Sequence, residues 1–69
     1  MTPAAIGQEP TEREIEVVTA YCRQEGAKGA AVHLGLSLST VKGTLANVRA
    51  KLGVSTTAAA VYRLRDRLE

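Results

Sequence analysis

The side chains that most often carry chemistry in small proteins are scarce in this sequence. Cys22 is the only cysteine and His33 the only histidine, so an internal disulfide is excluded by counting. The same count strongly disfavours a Cys/His zinc site and a Cys/His nucleophile pair. The chain has 69 residues and is too short for the deep pocket that most metabolic enzymes need. We therefore expect no catalytic site, no metal site and no cofactor, and we expect Cys22 to be a small core residue.

Charge is more informative than these reactive groups. The net charge is only +2, but most acidic side chains precede Ala27, and none occurs between Ala27 and Tyr62. A basic region without carboxylates helps a protein when it meets a negatively charged partner. The charge pattern alone leaves three interpretations open: a nucleic acid partner, an acidic protein partner, and chance asymmetry on a solvated face.

Composition indicates the fold class. Hydrophobic residues make up 45% of the chain and aromatic residues 3%, with many Ala and Leu, which is typical of closely packed helices rather than of a sheet. The sequence contains no long apolar run and no signal-peptide pattern, so we expect a cytoplasmic protein with no membrane span. Residues 1–10 contain both prolines and are expected to be a flexible lead, and residues 11–69 are expected to form the domain.

Helix signals divide that domain into four predicted helices, at residues 12–25, 27–34, 38–52 and 56–68. Thr11 and Glu14 have the spacing of a capping box, and Gly26 is expected to end the first helix in the left-handed conformation. Gly35 is expected to stop the second helix, and the candidate N-caps of the last helix are Ser55, Thr56 and Thr57. Helical spacing predicts the buried residues of the four helices, which are Ile15, Val18 and Cys22, flanked by Val17 and Tyr21, then Ala30, Ala31 and Leu34, then Leu38, Val41, Leu45, Val48 and Leu52, and finally Ala60, Val61, Leu64 and Leu68.

The third helix is the most informative stretch. Ser37 is its predicted N-cap and Gly53 its predicted end. Its outward side has small or polar residues and no carboxylate, namely Ser39, Lys42, Gly43, Ala46, Asn47 and Ala50. A helix that lies in the major groove against phosphates needs these properties. The alternative is an exposed helix that happens to be rich in Ala.

A second, smaller apolar patch is expected on the last helix. Ala58 and Tyr62 lie beside the predicted buried stripe of that helix. Such a patch is either part of a broad core face or a contact between two subunits.

Two helices joined by a Gly-containing turn, with a basic second helix, describe a helix-turn-helix. The run from Leu34 to Lys42, LGLSLSTVK, continues to the segment KLGVS at residues 51–55, and TEREIEVV at residues 11–18 precedes it. In these segments the sequence resembles the DNA-binding domain of LuxR-type transcriptional regulators, over about residues 11–68.

The resemblance implies a four-helix domain whose third helix enters the major groove and whose second helix braces it across the backbone. Lys42 corresponds to the principal base-contacting lysine, which reaches guanine O6 and N7. Phosphate contact or support of the helix is implied for Thr40, Thr44, Lys51 and Lys28. The fourth helix of the family pairs two subunits on an inverted repeat, which implies a homodimer contact at Val61, Tyr62 and Arg65, next to Ala58.

Some positions depart from the family pattern. Gly43 and Ala46 stand where longer base-reading side chains are common, so we expect Lys42, Asn47 and DNA shape to provide most of the specificity. Val32 adds an apolar side chain to the second helix. Members usually carry a receiver or ligand-sensing domain, and the sequence leaves open whether this chain is a free-standing regulator or one domain of a larger protein.

Three classes of function follow, in order of preference. The first is a sequence-specific transcriptional regulator that binds double-stranded DNA as a dimer. The second is a protein-interaction module with the same fold, acting on RNA polymerase or another regulator, which Val32, Gly43, Ala46 and the Ala58/Tyr62 patch favour. An enzyme is the third and least favoured class, because the basic half has no paired carboxylates, Ser/His pair or metal ligands.

Overall fold

The computed structural model of the chain describes residues 7–68. Within this range it has no strand, and its elements in chain order are α1 (Glu12–Arg23), α2 (Ala27–Leu34), α3 (Leu38–Leu52), α4 (Thr57–Leu64) and a short 3-10 helix (Arg65–Arg67). The all-α prediction with four α-helices is therefore confirmed. None of these helices is long and apolar enough to cross a bilayer. Residues 1–6 of the predicted lead, and Glu69, lie outside the described residues.

Side-chain caps start three of the helices. Those of α1 and α3 are at the predicted residues, and that of α4 is one of the three predicted candidates. The Thr11 hydroxyl accepts from the Glu14 N–H at 3.1 Å, and the Glu14 carboxylate accepts from the Thr11 N–H at 2.8 Å, so the capping box of α1 is complete. Ser37 accepts from the Thr40 N–H at 3.0 Å at the start of α3. Thr56 does the same for α4. These caps satisfy N–H groups that have no partner within their helices.

The helix ends follow the sequence less closely. Gly35 and Gly53 end α2 and α3 in the left-handed conformation, with φ of 68° and 67°, as predicted. The end of α1 was predicted incorrectly, because α1 stops at Arg23 and Glu25, with φ of 59°, takes the left-handed conformation instead of Gly26. Gly26, with φ of 136°, is the residue that precedes α2.

The last helix is shorter than predicted. The α-helical hydrogen bonding of α4 ends at Leu64, and Arg65–Arg67 continue as the tighter 3-10 helix, so the predicted range to residue 68 was too long. Leu68 nevertheless packs against the core, as the spacing of the apolar residues indicated.

The core lies around α3, which packs against each of the other three helices. Val41 and Val48 of α3 are fully buried and Leu45 nearly so. They meet small or branched side chains on the neighbouring helices, and the buried apolar partners are Val17, Val18, Ala20, Ala30, Ala31, Ala60 and Leu64. Apart from the two residues treated next, the predicted inward faces are therefore buried or half-buried.

Two predicted core residues are not buried. The Cys22 thiol is exposed and Leu38 is 38% exposed. The other predicted residues of α1 are buried or half-buried, and the buried side also includes Glu14 and Ala20. The hydrophobic pattern could not indicate that Glu14 is buried, because its side chain is a carboxylate.

Residues 7–10 were assigned to the flexible lead, but they contact the domain. The Gly7 N–H donates to the carbonyl of Lys51 at 2.7 Å, and Pro10 is buried. Glu9 pairs with Arg67 at 2.8 Å. This part of the chain therefore lies against the end of α3 and the 3-10 helix, and we call residues 7–10 the strap.

Candidate nucleic-acid interface

The turn between α2 and α3 determines how the candidate surface is presented. Only Gly35, Leu36 and Ser37 separate the two helices. The Leu36 N–H donates to the carbonyl of Ala31 at 2.9 Å, and the Ser37 hydroxyl caps α3. Two packed helices joined by a short turn with a left-handed Gly are compatible with the predicted helix-turn-helix.

The outward side of α3 is open and has no negative charge. Ser39, Lys42, Gly43, Ala46 and Ala50 are all exposed, as predicted from helical spacing. A methyl group added at Gly43 would meet no atom within 4 Å. Because no side chain rises from Gly43, a partner can approach the backbone of α3 closely at this position.

Lys42 is the free cation of this surface. Its side chain is exposed and forms no hydrogen bond or ion pair with any residue in the range 7–68. Lys28 on α2 is exposed and has no such partner either. Both ammonium groups are therefore available to an anion without first breaking an internal pair.

Hydroxyl groups occupy the beginning of α3. The Thr40 hydroxyl oxygen accepts from the Ser37 hydroxyl at 2.8 Å, and Thr40 is exposed. The Thr44 hydroxyl donates to the carbonyl of Thr40 at 2.9 Å and is half-buried. Thr40 can therefore still donate its hydroxyl proton to an acceptor outside the protein, whereas Thr44 has already committed its proton to the helix backbone.

Asn47 and Lys51 are the remaining members of the predicted site on α3, and both contact α1. Asn47 is exposed, as predicted, and Lys51 is half-buried. The Lys51 Nζ donates to Glu14 Oε1 at 2.6 Å, and the Asn47 Nδ2 donates to Glu14 Oε2 at 3.2 Å. The Lys51 side chain is only 12% exposed. Lys51 is therefore paired inside the protein, whereas the exposed Asn47 bonds to Glu14 only through its Nδ2. Base reading by Asn47 and phosphate contact by Lys51 stay predictions.

Glu14 is the residue that sequence reasoning missed as a tertiary contact. Burial of its carboxyl group by itself raises the pKa, but hydrogen bonds from Lys51 and from the Thr11 N–H, together with the charge of Lys51, outweigh burial and lower the pKa below its usual value of 4.5. The carboxylate is therefore ionised at neutral pH. The capping-box spacing identified Glu14 as a local cap, and only the buried register of α1 could have indicated its second role.

Three of the four residues of the predicted subunit contact, Ala58, Tyr62 and Arg65, are exposed on α4 and the start of the 3-10 helix. Tyr62 is 66% exposed, and the Arg65 guanidinium lies 4.4 Å from the centroid of its ring. The Arg65 guanidinium also donates to the Tyr62 carbonyl at 3.0 Å. Ala58 is exposed as well, while Val61 is half-buried against the core. An exposed aromatic ring covered by a cation is a surface that can pack against a partner.

Comparison of the chain with protein-family models, with curated proteins and with solved structures gave no match.

Proposed function

We propose that this protein is a sequence-specific, double-stranded DNA-binding transcriptional regulator of the LuxR type that inserts α3 into the major groove. The observation that carries this proposal is the outward side of α3, the second helix of a helix-turn-helix, which has a free Lys42, an open Gly43 and no carboxylate. The positive charge that follows Ala27 supports it, because DNA binding depends mainly on neutralising phosphates.

Each group on this surface has a distinct role in the proposal. Lys42 donates to guanine O6 and N7 and provides base preference. Thr40 and Lys28 contact phosphates and set the register of the protein on the duplex. The small side chains at Gly43, Ala46 and Ala50 let the helix lie deep in the groove, and Ala46 can contact a thymine methyl group.

A DNA-binding titration tests the proposal. A preferred site is first selected from a pool of random duplexes, and affinity is then measured by fluorescence anisotropy. Lys42→Ala should cost about 1–3 kcal/mol on the selected site and less on random duplexes. Arg13→Ala is the matched control, because it removes one exposed cation that pairs with Glu16 on α1. If the protein fails to bind any duplex at low salt, or if Lys42→Ala behaves like the control, α3 does not read DNA.

Pairing of two subunits through α4 is part of the proposal. Tyr62 and Arg65 form its contact, so a selected site should contain an inverted repeat, and Tyr62→Ala should weaken binding to the full repeat but not to one half-site. Analytical ultracentrifugation with DNA of one and two half-sites measures both effects. A selected motif without two-fold symmetry contradicts the dimer.

One observation favours a second candidate function. Val32, on the outer side of α2, is 80% exposed, which suits contact with a protein such as RNA polymerase or another regulator. In that case the protein binds no duplex at low salt, and a captured partner is lost from the Val32→Ser variant but retained by Lys42→Ala. Retention of the partner by Val32→Ser contradicts this second function.

A further inference from the structure

Lys51 is held at two points by the N-terminal part of the chain. Its backbone carbonyl accepts from the Gly7 N–H at 2.7 Å, and its Nζ donates to Glu14 Oε1 at 2.6 Å. Lys51 belongs to the last turn of α3, where carbonyl groups have no partner within the helix. The strap therefore provides a donor for one carbonyl of this turn, and Glu14 of α1 holds the side chain of the same residue.

The neighbouring contacts make this arrangement specific. The Gly53 and Val54 N–H groups bond to the carbonyls of Ala50 and Arg49, so the C-terminal motif of α3 satisfies those groups by itself. The Lys51 carbonyl receives its bond from outside, from Gly7. Gly7 has a φ of 94°, a conformation that only glycine adopts without strain. The strap is thus shaped to reach this carbonyl.

We propose that Lys51 is a positioning residue for α3, and that the strap is a working part of the DNA-binding unit. Lys51 transmits the position of α1 and of the strap to the last turn of α3, and it does not bind phosphate. This inference rests on the proposed function and deepens it, since it says which residues keep α3 in the orientation that fits the groove.

The salt dependence of DNA binding distinguishes a positioning role of Lys51 from a phosphate contact. Each phosphate neutralised by a protein cation contributes about −0.9 to the slope of log affinity against log salt. If Lys51 binds phosphate, its removal makes the slope shallower by about that amount. If Lys51 positions α3, affinity falls but the slope stays the same.

We call the two contacts of Lys51, with Gly7 and with Glu14, the anchor. Two substitutions disrupt these two contacts separately. Lys51→Met keeps most of the apolar stem of the side chain and removes its charge. Gly7→Ala adds a methyl group that meets no atom within 4 Å, so its effect is confined to the backbone strain at a φ of 94°. Gly7→Ala changes no charge, and it remains informative if Lys51→Met fails to fold. Lys51→Arg tests whether another cation at this position restores affinity. Lys28→Met is the control, because Lys28 is proposed to contact phosphate and its loss should make the salt slope shallower.

The experiment measures affinity for the selected duplex across a salt series, at a temperature where circular dichroism shows every variant folded. Lys51→Met and Gly7→Ala should each weaken binding about five-fold or more with the wild-type slope, as expected for the loss of one hydrogen bond. Lys51→Arg should restore most of the affinity. Amide hydrogen exchange without DNA should be faster at residues 49–54 in both variants, while the core of α1 is unchanged.

The opposite outcomes overturn the inference. A shallower salt slope for Lys51→Met, together with wild-type affinity for Gly7→Ala, makes Lys51 a phosphate contact. Unchanged exchange at residues 49–54 in both variants refutes the anchor. If the wild-type protein binds no duplex, the proposed function fails together with the DNA-binding role of the anchor, and hydrogen exchange still decides whether the strap holds the end of α3.

Discussion

Glu14 at the start of α1 holds Lys51 at the end of α3, with 2.6 Å between Oε1 and Nζ. The two side chains are 10% and 12% exposed, so water screens this pair less than a surface pair. Glu14 also accepts from Asn47 and from the Thr11 N–H, which leaves the buried carboxylate well supplied with donors. The same residue therefore begins one helix and fixes the position of another.

Replacing Glu14 should make the protein less stable and less sensitive to acid. Because the folded-state pKa of Glu14 lies below 4.5, the stabilisation is complete above that pH and is lost as the pH falls through the folded-state pKa. Glu14→Gln should lower the free energy of unfolding by about 1–3 kcal/mol at pH 7 and by less at lower pH. Urea titrations at a series of pH values measure this.

Glu16→Gln is the control for that experiment. Glu16 pairs with Arg13 on the exposed side of α1, and exposed pairs contribute little. If the free energy of unfolding has the same pH dependence in the wild type and in Glu14→Gln, another group causes the acid sensitivity.

Gly29 should not tolerate a side chain. A Cβ at this position would collide with the carbonyl oxygen of Gln24 and lie 2.8 Å from its Cβ. The backbone after α1 approaches α2 at this point, so the gain in helix propensity cannot be realised. Gly29→Ala should lower the free energy of unfolding by about 1–3 kcal/mol, as measured by chemical denaturation. A more stable variant would show that α1 and α2 are not this close.

Gly43→Ala should raise the free energy of unfolding, in contrast to Gly29→Ala. The space around it is open and the residue lies inside α3, so Ala should stabilise the protein by about 1 kcal/mol. This gain corresponds to a rise in Tm of about 4–8 °C for a domain of this size. Differential scanning calorimetry measures it, and a fall in Tm would indicate that Gly43 is not on an open helix face.

Cys22 should react in the native protein. Its thiol is exposed, so a thiol reagent such as Ellman's reagent should modify one group per chain without denaturant. Cys22→Ser should change the free energy of unfolding by no more than about 0.5 kcal/mol, because surface substitutions rarely do more. A thiol that reacts only after addition of urea would show that Cys22 is buried in the folded protein.

Local signals in the sequence predicted much of the fold. The capping box at Thr11, the cap at Ser37 and the ends at Gly35 and Gly53 all act within a few residues, so they can be predicted from spacing alone. For α4 the spacing left three candidate caps, of which the structure uses Thr56. The outward side of α3 was predictable for the same reason, because helical geometry places Lys42 and Gly43 once the buried stripe is known.

The errors occurred where contacts join distant parts of the chain. Cys22 was assigned to the core and Glu14 to a cap, because a pattern of apolar residues cannot reveal a carboxylate buried against a lysine 37 positions away. The first helix ends at Arg23, and the left-handed residue after it is Glu25 instead of Gly26. This turn lies where the backbone of Gln24 approaches Gly29, a contact between two elements that no local signal marks.

The sequence by itself therefore determined which residues form helices, where three of the helices begin, and which side of α3 is free of carboxylates. Only the tertiary structure decided that Asn47 and Lys51 turn toward Glu14, that Gly7 reaches the carbonyl of Lys51, and that Lys42 has no internal partner within residues 7–68. Caps and periodicity depend on neighbours a few residues apart, whereas the partner of a charged side chain depends on how whole helices pack.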